Sequence, residues 1–195
     1  MIYTIGHSNH PIERFLSLLH GAGVDVVADV RSTPYSRFNP QFNRETLRKS
    51  LAEAGIRYVF LGEELGARSK DPSCWVDGRV SYARLAATPA FQRGLERLQA
   101  GMRDHRIALM CAEREPLECH RTLLVARQLH RAGVPVTHIR HDGTLEEHPQ
   151  AMRRLLALLD LPSQDLFRTE DELFEEACDR QAARIAPVRR APAGD

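Results

Sequence analysis

The sequence predicts an α/β protein: a three-layer sandwich around a mostly parallel, five-stranded, Rossmann-like sheet, followed by C-terminal helices. Five short runs rich in Val and Ile recur along the chain. Most are apolar on both faces, as in strands that helices cover on both sides. Amphipathic stretches separate the runs, and such strand–helix–strand units favour parallel pairing with right-handed crossovers.

Each apolar run predicts one strand. The first is brief and covers residues 1–5. The other four are "VDVVADV" (24–30), "IRYVFL" (56–61), "RIALMC" (106–111) and "VPVTHI" (134–139).

Capping residues bound the helices predicted between these strands. The starts are Pro11, Asn43, Thr88 with Pro89, and Cys119; glycines at 21–23, Gly55 and Gly133 end three of these helices. The predicted helices alternate with the strands, as the fold class requires.

The chain is expected to form one domain over 1–148, a helical extension over 149–187 and a flexible tail over 188–195. The tail, "VRRAPAGD", is short and rich in Arg, Ala and Pro. One connection, 62–87, is too long for a tight turn and contains the only tryptophan. Loops of that length are typically lids, binding loops or disordered segments.

Composition excludes several classes of protein. The 195 residues include 27 basic and 26 acidic ones, a net charge of +1 that does not favour nucleic acid or membrane as a partner. No apolar run approaches the roughly 20 residues that cross a bilayer. The N-terminal sequence shows no signal peptide, and four irregularly spaced cysteines are typical of free thiols. A cytoplasmic protein without a cofactor is expected.

Reactive side chains collect where the predicted strands end. In an open parallel sheet, ligands bind beyond the carboxyl ends of the strands. The segments concerned are 6–9, 29–42, 62–64, 111–121 and 141–143. We expect them to converge on one edge, with His7 as a catalytic candidate and Ser8 as a substrate-binding one.

Two acidic residues are catalytic candidates. Asp29 lies in an apolar strand and shares strand parity with Arg31, so the two form either a structural ion pair or an acid–base group beside an anion-binding guanidinium. Glu113 leaves an apolar run at the edge where a ligand would bind, which favours a functional role.

The stretch "CAEREPLECHR" carries the thiols. Cys119 begins a helix, where the amides and the dipole stabilise a thiolate, so it is either a nucleophile or a capping residue. Cys111, His120 and Arg121 are candidate substrate-binding residues, although Cys111 could simply be a buried apolar residue. A metal would suit these ligands, but their spacing matches no zinc pattern, so no metal is expected.

The segment "TPYSRFNPQFNRETLRK" interleaves aromatic and basic residues. Tyr35, Ser36 and Arg37 are therefore candidate substrate-binding residues, and Phe38 could stack on a planar group. Alternatively, the aromatic residues pack into the core and the cations lie on a solvated helix face.

Five ordered blocks together resemble the DUF488 family. They are "TIGHS", "DVRSTPYSRFNPQFN", "YVFLGEELGAR", "LMCAEREPLECHR" and "VTHIRHDGTLEEH", and they span residues 2–148. The resemblance implies a compact α/β domain whose signature residues include His7, Asp29, Arg31, Cys111, Glu113, Cys119, His120 and Arg121. It implies no particular reaction.

Three functions fit these residues. The first is an enzyme that acts on a nucleotide, a nucleic-acid base or another phosphate-bearing substrate by carboxylate-assisted chemistry, of which hydrolysis is one form. The second is a thiol enzyme that uses Cys119. The third is a module that binds nucleic acid or a partner protein without catalysis. The oligomeric state is left open.

Overall fold

The predicted strands form a single sheet, and the structure adds a sixth strand to it. The structure is a computed structural model and describes residues 1–189. In chain order its strands are β1 (Ile2–Gly6), β2 (Val26–Asp29), β3 (Arg57–Phe60), β4 (Trp75–Val76), β5 (Arg79–Val80), β6 (Ile107–Cys111), β7 (Val136–Ile139) and β8 (Leu145–Glu147). The sheet order is β3-β2-β6-β1-β7-β8, with β4 and β5 forming a separate hairpin.

The first five strands of that order are parallel, as the sequence predicts. The added β8 pairs antiparallel with β7. It is three residues long and polar, so it lacks the apolar run that marks the other strands.

Helices cover both faces of the sheet. They are α1 (Ile12–Gly21), α2 (Arg44–Glu53), α3 (Gly62–Leu65), α4 (Tyr82–Ala86), α5 (Pro89–Gly101), α6 (Arg127–Arg131), α7 (His148–Leu158) and α8 (Glu170–Ile185). A π-helical turn, Arg121–Ala126, leads directly into α6. The architecture is the predicted three-layer α/β sandwich.

Alternation along the strands divides the core into two parts. On β6, Leu109 packs into one apolar cluster, while Ala108 and Met110 pack into the other on the opposite face. The same strands are thus buried on both sides, which explains their continuous apolar runs.

Capping side chains set some helix starts but not all. Thr88 accepts a hydrogen bond from Phe91 N at 3.2 Å and caps α5 as predicted. Helix α2 also begins after Asn43, but the Asn43 side chain instead accepts from Ser36 N at 2.7 Å. Asn43 therefore fixes the loop before α2.

The helices after residue 148 share a core with the preceding chain. Leu155 of α7 and Phe174 of α8 lie in the same apolar cluster as Leu109. The first residue of the predicted tail, Val188, forms an isolated antiparallel β-bridge with Arg79 of β5. The rest of that tail, 190–195, lies outside the described residues.

The long 62–87 connection contains α3, the β4–β5 hairpin and α4. It packs on the main core through Leu65 and Tyr82. In residues 1–189, no helix is both long and apolar enough to cross a membrane.

Candidate functional site

A cavity of about 480 Å³ opens beside the carboxyl ends of β2 and β6. This is the edge at which parallel sheets bind ligands. Its wall combines the residues after β2, the 62–87 connection, the residues after β6 and the end of α8. Side chains that matter for chemistry on this wall are Arg31, Tyr35, Arg68, Cys111, Glu113 and His120.

Four residues, here called the Cys–His cluster, meet at this cavity: Cys111, Glu113, Cys119 and His120. Their potential ligand atoms lie within 4.8 Å of one another. His120 Nδ1 is 3.6 Å from Cys111 Sγ and 3.9 Å from Cys119 Sγ. Cys119 Sγ is 2.9 Å from Glu113 Oε2. Cys111, Glu113 and His120 line the cavity, whereas Cys119 lies behind them and is 1 % exposed.

The backbone passes from strand β6 to a helical segment between Cys111 and Cys119. Strand β6 ends at Cys111, and Cys119 has extended backbone just before the helical residues begin. The Cys119 carbonyl accepts from Thr122 N and Leu123 N, and Cys119 Sγ lies 3.4 Å from Arg121 N. Cys119 therefore begins the helical segment, as the sequence predicts.

Arg121 ties the loop after β6 to that segment. It is fully buried, and its guanidinium donates to the backbone carbonyl of Glu113 at 2.8 Å. Gly6 of β1 leaves the space for this contact, because a Cβ there would lie 1.9 Å from the same carbonyl oxygen. Arg121 thus positions the backbone of Glu113 and does not reach the cavity.

The orientation of His120 is fixed from behind. Its Nε2 donates to the Val30 carbonyl at 3.0 Å, which assigns the ring proton to Nε2 and leaves the lone pair of Nδ1 facing the two thiols. Burial opposes protonation of His120, but the hydrogen bond and negative charge of Cys119 raise its pKa.

The two thiols differ in acidity. Burial raises the pKa of Cys111 well above its ordinary value. Burial acts in the same direction on Cys119, but the hydrogen bond from Cys111 and the positive charge of Arg121 outweigh it and hold the Cys119 pKa well below its ordinary value. Removal from water raises the pKa of the Glu113 carboxyl.

Asp29 forms a buried ion pair with Arg31, the contact on which one of its two predicted interpretations depends. Arg31 donates from Nε to Asp29 Oδ1 at 2.9 Å and from Nη2 to Oδ2 at 2.7 Å. Tyr58 also donates to Oδ2, at 2.8 Å. Both carboxylate oxygens are occupied, and Asp29 is fully buried and does not line the cavity.

His7 supports Arg31 and does not line the cavity. Its Nε2 accepts from Arg31 Nη1 at 3.2 Å, and its ring stacks on Phe42 with centroids 4.3 Å apart. Burial lowers the pKa of His7 to about 4, so the ring is neutral. Ser8 also lies off the cavity, with its hydroxyl directed to Asn9.

The aromatic and basic segment divides between core and surface. Phe42 is fully buried, while Tyr35 is 63 % and Phe38 90 % exposed. Tyr35 lines the cavity. Ser36 accepts from Asn39 N at 3.1 Å within its own turn, and Arg37 is exposed.

Like segment 6–9, two further segments expected at this edge, 62–64 and 141–143, contribute no residue to the cavity wall. Glu64 forms an ion pair with Arg97 of α5. His141 stacks on His10, with centroids 4.0 Å apart, at another part of the edge. Strand β7 lies on the far side of β1 from β6, so its end is separated from the β2–β6 end. Strand β3 adjoins β2, but Glu64 after it pairs with Arg97 instead of lining the cavity.

Sequence reasoning missed several wall residues. Arg68 and Tyr82 come from the 62–87 connection, Glu118 from the turn before Cys119, and Ile185 from α8. The length of the connection was the available signal for the first two. Nothing in the local sequence indicated that the end of α8 would close the cavity.

The fold and cavity define an α/β protein with a polar site at the carboxyl edge of its parallel strands. The chain belongs to the DUF488 family: "Domain of unknown function DUF488" matches residues 11–128. The resemblance seen in the sequence is confirmed. The matched range includes the whole Cys–His cluster.

A solved structure from Shewanella putrefaciens CN-32, a "Putative phosphatase (DUF442)", is similar at 15 % identity and a TM-score of 0.36, covering 91 % of this chain and 85 % of that one. A likeness this weak carries no argument about fold or activity. A comparison with curated proteins finds no match.

Proposed function

We propose that the protein is a hydrolase that acts on a nucleotide, a nucleic-acid base or another phosphate-bearing substrate in the cavity beside the Cys–His cluster. One observation carries the proposal: the same wall presents the carboxylate of Glu113 and the cationic side chains of Arg31 and Arg68. Hydrolysis of a phosphate-bearing substrate needs cations that bind the phosphate and a nearby carboxylate that transfers a proton.

Binding is assigned to the outer part of the cavity. Arg68 is exposed and free of the buried network that holds Arg31, so it is the better candidate for a phosphate. Tyr35 offers an exposed ring for stacking on a base. A volume of about 480 Å³ is in the range of small-molecule sites.

Glu113 is assigned the proton transfer. It accepts a proton from water as the water oxygen bonds to the electrophilic atom of the substrate, and it returns that proton to the leaving group as the scissile bond breaks. Glu118 on the same wall replaces Asp29 as the second carboxylate, because both oxygens of Asp29 are occupied.

The proposal is tested with a panel of nucleoside monophosphates and nucleosides. We expect binding by calorimetry to at least one nucleotide and release of base or phosphate. Arg68→Gln weakens binding roughly tenfold, while Arg37→Gln, exposed but off the cavity, leaves it unchanged. Glu113→Gln retains binding and loses about 100-fold or more in kcat, with Glu63→Gln as the matched control. Binding and turnover that are the same in all four variants would contradict the proposal.

A thiol enzyme is the second candidate, favoured by the position of Cys111 on the cavity wall. The nucleophile would then be Cys111, because Cys119 lies behind the wall. Burial raises the pKa of Cys111, so His120 Nδ1, 3.6 Å from its sulfur, would have to accept the thiol proton. A covalent adduct with a panel compound, seen by intact mass in the wild type and absent in Cys111→Ala, would favour this candidate over the carboxylate mechanism.

Nucleic acid as the partner is tested separately. Binding of single-stranded DNA or RNA oligonucleotides that weakens steeply with salt would favour a nucleic-acid substrate or a binding module.

A cytoplasmic location is also part of the proposal. It is supported by Cys111 and Cys119, which remain free thiols although they adjoin one another.

A further inference from the structure

We propose that Cys111, Cys119 and His120 bind one divalent transition-metal ion, preferably zinc, with the carboxylate of Glu113 beside a coordination position that opens to the cavity. The sequence indicated no metal because the ligand spacing fits no zinc pattern. The fold nevertheless brings the donor atoms of Cys111, Cys119 and His120 together.

The type and separation of the donor atoms support zinc. Thiolate sulfur and imidazole nitrogen are its preferred ligands, with bonds of about 2.3 and 2.0–2.1 Å. In a tetrahedral site such bonds separate neighbouring ligand atoms by about 3.5–3.8 Å. The observed Sγ–Nδ1 separations are 3.6 Å for Cys111 and 3.9 Å for Cys119. Little movement would bring all three atoms onto one ion.

The surroundings of His120 match those of a metal ligand. Metal-binding imidazoles commonly donate their second ring N–H to a carbonyl or carboxylate, which fixes the tautomer and the ring orientation. His120 Nε2 donates to the Val30 carbonyl at 3.0 Å. The lone pair of Nδ1 therefore faces the two sulfurs.

Charge also favours an anionic ligand set at this position. Arg121 is fully buried, and among residues 1–189 no carboxylate lies within ion-pair distance of it. Its Nε has no hydrogen-bond partner. Two thiolates and a carboxylate around a divalent cation have a net charge of −1, which the adjacent Arg121 would neutralise.

The cavity gives the ion an open side. Cys111, Glu113 and His120 line it, so a substrate could approach the ion from there. Three protein ligands and one open position are typical of catalytic zinc, which makes a bound water a stronger acid. Glu113 is then placed to accept the proton of that water. This role of Glu113 rests on the proposed function, whereas metal binding does not.

The other two cysteines provide matched controls. Cys74 is buried in the main core, and Cys178 contacts Met152 Sδ at 3.5 Å. Neither belongs to the Cys–His cluster. Alanine is a small apolar replacement for a buried cysteine, so all four positions can be compared with the same substitution.

The test is metal binding by the purified full-length chain after chelation, with zinc and cobalt(II) chloride as probes. We expect one equivalent of zinc. Cys111→Ala, Cys119→Ala and His120→Ala each lower zinc affinity about 100-fold or more, and Cys74→Ala and Cys178→Ala do not. The double variant C74A/C178A retains the full thiolate-to-cobalt charge-transfer band, which then arises from Cys111 and Cys119 alone. This measurement does not require cluster variants to fold.

Three results would overturn the inference: no zinc or cobalt binding by the wild type, equal binding after loss of both cluster thiols, or loss of metal from Glu113→Gln, which would make Glu113 a fourth ligand. The two proposals fail separately. Zinc binding without nucleotide binding leaves the metal site and removes the proposed function, whereas nucleotide turnover by a chain that binds neither zinc nor cobalt removes the metal site and leaves the proposed function.

Discussion

The Cys–His cluster and a second polar group on the same sheet differ in how completely their hydrogen bonds are satisfied. The second group, here called the histidine relay, consists of Thr4, His138 and His148. Thr4 Oγ1 lies 2.8 Å from His138 Nδ1, and His138 Nε2 lies 3.1 Å from His148 Nδ1. His138 has strong partners at both nitrogens. His120 has one at Nε2 only, because thiols are weak hydrogen-bonding groups.

Strand β1 supports both groups. Gly6 pairs with Cys111 on one side, and Thr4 pairs with His138 on the other. The comparison teaches that a buried imidazole is a candidate site only where one nitrogen is left facing other ligand atoms. An imidazole whose two nitrogens both have hydrogen-bond partners contributes to stability instead. Substitutions in the histidine relay and in the Cys–His cluster are therefore expected to have different effects.

The largest effect is expected at Asp29. Both of its carboxylate oxygens are hydrogen-bonded, as both nitrogens of His138 are, although Asp29 lies near the Cys–His cluster. Asp29→Asn leaves buried Arg31 without its counter-charge and should lower the free energy of unfolding by about 3–5 kcal/mol, measured by urea denaturation. Tyr58→Phe removes a single hydrogen bond to Asp29 and should cost only about 1 kcal/mol. A cost below 1 kcal/mol for Asp29→Asn would show that Asp29 is not structural.

Substitution of Gly6 should damage the cluster side of β1. In Gly6→Ala the new Cβ meets the Glu113 carbonyl, so we expect a loss of about 3 kcal/mol and weaker zinc binding. The control is Gly21→Ala, where a Cβ would meet nothing within 4 Å and the helix should gain up to about 1 kcal/mol. Similar effects of both substitutions would contradict the close packing described at Gly6.

The relay should make stability fall in acid. Burial lowers the pKa of His148 to about 3 and that of His138 well below its ordinary value. Both rings stay neutral in the folded protein, whereas the unfolded chain takes up protons below about pH 6.5. Unfolding is therefore favoured as pH falls, by about 1.4 kcal/mol per histidine between pH 7.5 and 5.5.

This loss is measured as the difference between the wild type and His148→Gln. The glutamine side chain can still hydrogen-bond to His138, so the variant should lose about 1.4 kcal/mol less over that pH range. His130 and Glu175 face His148 and act in opposite directions on its pKa. Identical pH profiles for the two proteins would mean that His148 takes up a proton without unfolding.

The smallest effect is expected from Thr4→Val, which removes the hydroxyl that hydrogen-bonds His138. It should lower the free energy of unfolding by about 1 kcal/mol and leave zinc stoichiometry unchanged. Zinc loss in Thr4→Val would show that the two groups are coupled through β1 and would end the distinction between them.

Much of the fold could be predicted from local patterns, and the exceptions have physical causes. The strands ending in Asp29 and Cys111 are continuous apolar runs, and Thr88 caps its helix as expected. Strand β8 was missed because it is short, polar and held by one neighbour. Asn43 precedes α2 as predicted, but its side chain does not cap the helix, because it accepts a hydrogen bond from Ser36 N in the preceding loop.

The candidate site divides in the same way. Cys111, Glu113 and His120 were predicted as candidates because they lie at or within ten residues of one strand end, and the structure places all three on the cavity wall. Asp29 and His7 were candidates for the same reason, but their polar atoms are used by Arg31. Local sequence cannot reveal this, because strand parity gives a direction and not a partner.

By itself the sequence determined the α/β class, the positions of the parallel strands and the stretch that carries the thiols, because all three depend on periodicity and on neighbours close along the chain. The tertiary structure alone decided which buried polar groups have all their hydrogen-bond partners. It closed the cavity with Arg68 and with Ile185 of α8, and it brought Cys111 and Cys119 onto one imidazole. Those outcomes depend on contacts between residues far apart in sequence, whose hydrogen-bond partners only the packed chain supplies.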